Sequence, residues 1–128
     1  KKIQLSFKRD YSNIFVLGDR NKIGQVITNL VKNSILYGNE NGSTIITLEP
    51  IDNQILIEIK DNGIGIAKEH LGKVFDRLYR VPTGNVHDVK GFGLGLSYVK
   101  TVVDRHNGTI RVESELEQGS TFVLLLPQ

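Results

Sequence analysis

Cysteine, methionine and tryptophan are all absent from this 128-residue chain, and proline occurs only three times. Without cysteine the chain can form neither a disulfide nor a thiolate metal site, which agrees with a reducing compartment and makes the cytoplasm the expected location. No apolar run approaches the roughly 20 residues that span a bilayer. The opening Lys1-Lys2-Ile3-Gln4 also lacks the apolar core of a signal peptide. Charge of one sign is scarce too: 16 basic residues stand against 14 acidic ones, spread along the chain for a net +2. No basic stripe results, so a nucleic-acid partner is not expected. The lack of methionine, together with a strand-like segment at the very start, leads to the expectation of a piece of a longer protein.

What is present reads as one ordinary globular domain over residues 1–128. Hydrophobic residues make up 39% and charged residues 23%, enough apolar surface for a core without staples. Ile3, Leu5 and Phe7 alternate with polar residues, and a second apolar run at residues 14–17 follows a turn-like Asp10-Tyr11-Ser12-Asn13, which predicts two short strands. Asp19 can cap a helix in which Ile23, Val26, Ile27, Leu30, Val31 and Ser34 recur at helical spacing until Gly38-Asn39, about five turns in all. Residues 43–49 and 54–61 read as an antiparallel pair joined around residues 50–53, with Ile55, Ile57 and Ile59 on one buried face. A short helix from Ala67 is expected to carry Leu71, Val74 and Phe75. Residues 80–90 hold Pro82, Gly84, Asn85 and Asp88 with little periodicity and read as a long loop of the kind that forms lids, its bounds set at about 80–92. Leu94, Leu96, Val99, Val102 and Val103 mark a last helix ending at Asn107-Gly108, and residues 109–114 and 120–126 a terminal hairpin. The order predicts an α/β two-layer sandwich, a mixed, mainly antiparallel sheet covered on one face by about three helices.

Three stretches carry chemistry. Gln25, Asn29 and Asn33 recur every four residues along one line of the first helix, beside its apolar stripe. There a carboxamide can offer oxygen to a cation or NH2 to a phosphate, although a solvated helix face would look the same. Asp61-Asn62-Gly63-Ile64-Gly65-Ile66 ends a core strand with a carboxylate and two glycines that admit a flat ligand close to the backbone. A plain β-turn with Asp61 bonded to backbone donors is the other reading. Gly91-Phe92-Gly93-Leu94-Gly95-Leu96 runs into a helix, whose free N–H groups and dipole suit phosphates. It lacks the GxxxxGK[ST] pattern of a P-loop and the preceding strand of a dinucleotide fold, and by itself means no more than a tight connection.

Taken in order, these segments make the chain resemble the catalytic domain of two-component sensor histidine kinases, within the ATP-binding group that includes gyrase, the Hsp90 chaperones and the MutL repair proteins. Asn29-Leu30-Val31-Lys32-Asn33-Ser34 is similar to the asparagine box and Asp61 to Ile66 to the first glycine box. Phe75-Asp76-Arg77-Leu78-Tyr79-Arg80 is similar to the phenylalanine box and Gly91 to Leu96 to the second glycine box. The resemblance covers essentially the whole chain and implies a Bergerat-type ATP-binding fold. It implies that Asn33 ligates Mg2+ on the phosphates of ATP, with Asn29 assisting, and that Asp61 binds the adenine amine. Gly63, Gly65 and Ile66 would shape the adenine pocket and Tyr37 would lie against the base. Backbone groups around Gly91, Gly93, Leu94, Gly95 and Leu96 would hold phosphates, and Arg80, with Lys90 as a lesser candidate, would reach the γ-phosphate from the lid. The implied activity is transfer of the γ-phosphate to a histidine. The implied partners are a histidine-bearing dimerisation domain of the same protein and a response regulator receiver domain, within a homodimeric, membrane-anchored bacterial sensor kinase whose catalytic part is cytoplasmic.

Two positions depart from the family pattern. Leu36 stands where a lysine often reaches a phosphate, and Leu78 replaces an aromatic residue of the phenylalanine box. His70, His87 and His106 show no metal-ligand spacing and no resemblance to the phosphoacceptor motif. Two rival readings remain. One is an ATP hydrolase of the gyrase or chaperone type, which would carry a glutamate general base at the position of Asn29. The other is a non-catalytic nucleotide-binding or docking module, which Leu36 would suit.

Overall fold

The computed structural model describes residues 3–9, 18–77 and 92–128, with side chains placed for all but residues 5–9 and 92–94. The second predicted strand at residues 14–17 and residues 80–91 of the predicted lid, with Arg80, Lys90 and Gly91, lie outside the described residues, while Phe92, the last residue of the expected lid, already begins a helix.

Among the described residues five strands form one sheet in the order β1-β2-β3-β5-β4: β1 Ile3–Arg9, β2 Gly42–Ile51, β3 Gln54–Asp61, β4 Thr109–Glu115 and β5 Gly119–Pro127. β1 runs parallel to β2, and every other pairing is antiparallel. The mixed, mainly antiparallel sheet expected from the sequence is therefore what forms. Its parallel pair is joined through a helix, α1 (Arg20–Leu36), as a parallel connection requires.

Strand register decides which side chains meet. Ile46 pairs with Ile59, Ile59 with Phe122 and Phe122 with Val112, so alternate residues of four strands fall on one face. On that face lie Ile55, Ile57, Ile59, Leu124 and Leu126, all buried, against Val26 and Leu30 of α1 and Val99, Val102 and Val103 of α3 (Phe92–Arg105). The helices cover one face, which makes the two-layer sandwich. A buried hydroxyl pair, Ser34 with Thr44, fastens α1 to β2 inside this core and satisfies both polar groups.

Local chemistry sets the helix ends. Asp19 caps α1 through Oδ1, which accepts from the N–H groups of Asn21 (2.9 Å) and Lys22 (3.1 Å). The bond from Lys22 foremost holds its carboxyl below the usual carboxylate range. α3 closes on Asn107 in the left-handed region (φ 59°), with Gly108 N–H returning to Val103 O at 3.0 Å.

Two elements differ from their sequence reading. The helix after Ala67 is a single turn, α2 (Lys68–Leu71), because Gly72 caps it. Val74 (2% exposed) and Phe75 then enter the core from turns, and Phe75 meets Phe122 edge-on at 6.2 Å. β2 continues through Pro50 to Ile51, leaving a turn at residues 52–53 alone. Pro50 stands opposite Ile55, and the pairing with β3 carries β2 on to the turn.

Candidate nucleotide site

α1 and α3 lie side by side and antiparallel. The N–H of Asp19, just before α1, donates to His106 Nε2 just after α3 (3.0 Å), and Tyr98 Oη donates to Gln25 Oε1 (2.5 Å). Continuing in that direction, the part of α1 that carries Asn29 and Asn33 points toward the first turn of α3. The line of carboxamides sinks inward as it goes: Gln25 is exposed, Asn29 half-buried and Asn33 buried at 7% exposure.

Gly93, Leu94, Gly95 and Leu96 are already helical, since α3 starts at Phe92. The N–H groups of a helix's first three residues have no intrahelical acceptor, so those of Phe92, Gly93 and Leu94 are offered outward at the positive end of the helix dipole.

The turn after β3 brings the third segment to the same end. Asp61 is 7% exposed, and its Oδ1 accepts from Gly63 N–H (2.9 Å) and Ser120 N–H (3.2 Å). Both of these bonds fall on Oδ1, so Oδ2 is the oxygen left for a ligand. Burial raises its pKa above the ordinary carboxylate value, against the opposing effect of the two N–H donors. Asp61 thus does bond backbone donors, as the plain-turn reading held, with one oxygen to spare.

The turn is held from two sides. Ile64 N–H donates to Tyr37 O (3.0 Å), and Asn39 Nδ2 donates to Asn62 O (3.1 Å), which ties it to the end of α1. On the other side Glu117 N–H donates to Ile64 O (2.8 Å) and Ile66 N–H to Ser114 Oγ (2.7 Å), which ties it to the β4–β5 hairpin. Both glycines are demanded by this clamping. A Cβ on Gly63 would stand 2.2 Å from Tyr37 O, and one on Gly65, at φ +73°, would stand 2.0 Å from Glu115 O.

The structure therefore brings Asn29, Asn33, Tyr37, Asp61, Gly63, Gly65, Ile66 and residues 93–96 to one end of the sandwich. It has nothing to say of Arg80, Lys90 and Gly91. Sequence reasoning missed Ser114 and Ser120, whose only local signal is a small polar residue at an inward-facing strand position. It also gave His106 no role. Because Val102 O can only accept and Asp19 N–H can only donate, His106 carries its proton on Nδ1 (2.8 Å from Val102 O) and clasps the two helices.

As a metal site the donor set is sparse: among the described residues no group of three or more His, Cys, Asp or Glu side chains could hold an ion. A single carboxamide oxygen fits Mg2+ only where phosphates supply further ligands, because that ion keeps water and phosphate oxygens around one or two protein ligands.

The chain is also similar to known proteins in sequence and in fold. The family model described as histidine kinase-, DNA gyrase B-, and HSP90-like ATPase matches residues 18–128. The sensor protein RprX of Bacteroides fragilis (strain YCH46) is 48% identical over 118 residues, which are 91% of this chain and 23% of that protein, so the chain spans less than a quarter of its length. Among solved structures, the mycobacterial sensor histidine kinase MprB matches with a TM-score of 0.86 and 28% identity, covering 98% of this chain and 83% of that one. Histidine kinase ThkA, in complex with the response regulator protein TrrA, matches with a TM-score of 0.78 and 30% identity over 98% of this chain and 34% of that one. Sequence and fold together show that the chain belongs to the histidine kinase-, DNA gyrase B- and HSP90-like ATPase family, as the ATP-binding domain of a sensor histidine kinase.

Proposed function

We propose that the chain binds Mg-ATP at this end of the sandwich and presents the γ-phosphate to a histidine on a separate dimerisation domain of the same protein. The observation that carries the proposal is the convergence of Asp61, Asn33 and the first turn of α3, with an asparagine and no carboxylate at position 29.

Asp61 Oδ2 accepts the exocyclic amine of adenine, with Gly63, Gly65 and Ile66 as the floor of the base pocket and Tyr37 along its side. Asn33 would give its amide oxygen to a magnesium ion, with Asn29 beside it, and the free N–H groups at the start of α3, Gly93 and Leu94 among them, would hold phosphate oxygens. Magnesium, when bound, neutralises phosphate charge and lets a neutral nucleophile approach. With Leu36 in place of a lysine, Arg80, Lys90 or Lys32 would have to supply the missing cation, Arg80 first. Phosphoryl transfer rests mainly on positioning and charge, so these contacts suffice.

Asn29 separates this reading from ATP hydrolysis. An amide cannot take a proton from water at neutral pH, whereas a neutral imidazole attacks phosphorus without a strong base. The ThkA–TrrA complex supports relay to a response regulator receiver domain. The membrane anchor, the homodimer and the cytoplasmic site belong to the same proposal.

The test is radiolabelled ATP with this chain and the separate helical histidine domain of its parent protein. We expect slow turnover by the chain alone and an acid-labile phosphate on the added domain, abolished by Asn33→Ala. Vigorous hydrolysis by the isolated chain, or an acid-stable phosphoserine, would overturn the proposal.

A further inference from the structure

The hydroxyl of Ser114 stands where the nucleotide turn meets the β4–β5 hairpin. It is half-buried on β4, 48 residues along the chain from Ile66, whose N–H donates to it at 2.7 Å. Gly119 O lies 2.9 Å from Ser114 Oγ and Ser120 Oγ lies 2.7 Å from it. A carbonyl can only accept and a backbone N–H can only donate, so one proton assignment satisfies every group. Ser114 donates to Gly119 O, and accepts from both Ile66 N–H and the Ser120 hydroxyl. The next link along β5 is Ser120 N–H, which bonds Asp61 Oδ1 at 3.2 Å. Ser114 therefore touches the last residue of the turn directly and its first residue through the backbone of Ser120.

We infer that Ser114 is a positioning residue for adenine recognition: its hydroxyl locks the Asp61 turn to the hairpin so that Asp61 Oδ2 faces the base. The inference rests on the reading of Asp61 as the adenine ligand. Ser114 itself contacts no nucleotide. Without the hydroxyl, Ile66 N–H and Gly119 O lose their partner, the turn loosens on the hairpin side, and the carboxylate is no longer held in one orientation.

The test compares Ser114→Ala, Ser114→Thr and Ser114→Val in the 128-residue chain, with ATP and GTP as probes, by titration calorimetry and competition. GTP presents a carbonyl where adenine has its amine, so its binding does not draw on the Asp61 contact. Losing one neutral hydrogen bond that orients the site corresponds to about a tenfold loss of ATP affinity. We expect Ser114→Ala and Ser114→Val to show that loss with GTP unchanged, so that discrimination between the two nucleotides falls by the same factor, and Ser114→Thr to restore it. Thr and Val are equal in shape and differ in the hydroxyl, so this pair carries the comparison if the alanine variant does not fold. The inference is overturned if Thr and Val behave alike, or if ATP and GTP weaken by equal factors, as a loss of general stability would produce. Asp61→Asn separates the two failures. If that variant keeps its ATP affinity, the adenine reading itself is wrong; if it loses affinity while Ser114→Val does not, only the role of Ser114 falls.

Discussion

On the proposed adenine contact, replacing Asp61 by asparagine separates binding from stability, because the two oxygens of the carboxylate then have different duties. Oδ1 accepts from Gly63 and Ser120, and the oxygen of an asparagine can take over both bonds. The amide NH2 then stands where Oδ2 was, and meets the adenine amine donor to donor. The complex loses a hydrogen bond to a charged group, about 1.5–3 kcal/mol, and leaves buried donors unsatisfied, about 1–3 kcal/mol more. Taken together, about 2.5–6 kcal/mol corresponds to roughly two to four orders of magnitude in Kd. Stability moves the other way. Burial raises the folded-state pKa of Asp61 above its ordinary value, so folding favours the protonated form. Its contribution is fully present below the ordinary carboxylate pKa and is lost as pH rises through the raised folded value, so burial of this carboxyl is a cost above that value. The neutral amide removes that cost. Asp61→Asn is therefore expected to be at least as stable as the parent at neutral pH, with a flatter stability curve across that window. Calorimetry with ATP and urea unfolding at a series of pH values measure both. An ATP affinity within about threefold of the parent, or a neutral-pH stability lower by more than about 1 kcal/mol, would refute the reasoning.

Gly65→Ala is expected to cost more than about 2 kcal/mol in urea unfolding, since the left-handed backbone alone costs about 1–2 kcal/mol for an L side chain and the new Cβ meets Glu115 O. A loss under about 0.5 kcal/mol would mean that the turn yields easily. His106→Ala removes the clasp between Val102 O and Asp19 N–H, so two hydrogen bonds put the loss at about 1–2 kcal/mol. Because the clasp sits at the other end of the helices from Asn33, ATP affinity should hold, and a parallel loss of binding would show that the helix pair transmits strain to the site.

Much of the fold follows from repeats of two and of about 3.6 residues read along the chain. Ile55, Ile57 and Ile59 marked β3, and the stripe through Val26 and Leu30 marked α1, because burial on one face imposes those periods wherever the element lies. The candidate site segments that hold Asn33, Asp61 and the glycines around them stand out because each is contiguous, so its chemistry and its order along the chain survive without coordinates. Where local and tertiary demands compete, the sequence pattern loses its hold. Val74 and Phe75 kept a helical spacing, yet Gly72 ended α2 and both reached the core from turns. Pro50 reads as a strand breaker and lies in β2, because pairing with Ile55 of β3 carries the strand past it. The bonds of Ser114 to Ile66, Ser120 to Asp61 and His106 to Asp19 join residues 48, 59 and 87 positions apart. No local pattern encodes such pairs. A hydroxyl or imidazole reads the same in sequence whether water or a distant backbone group satisfies it, and only strand register and the antiparallel packing of α1 on α3 decide which.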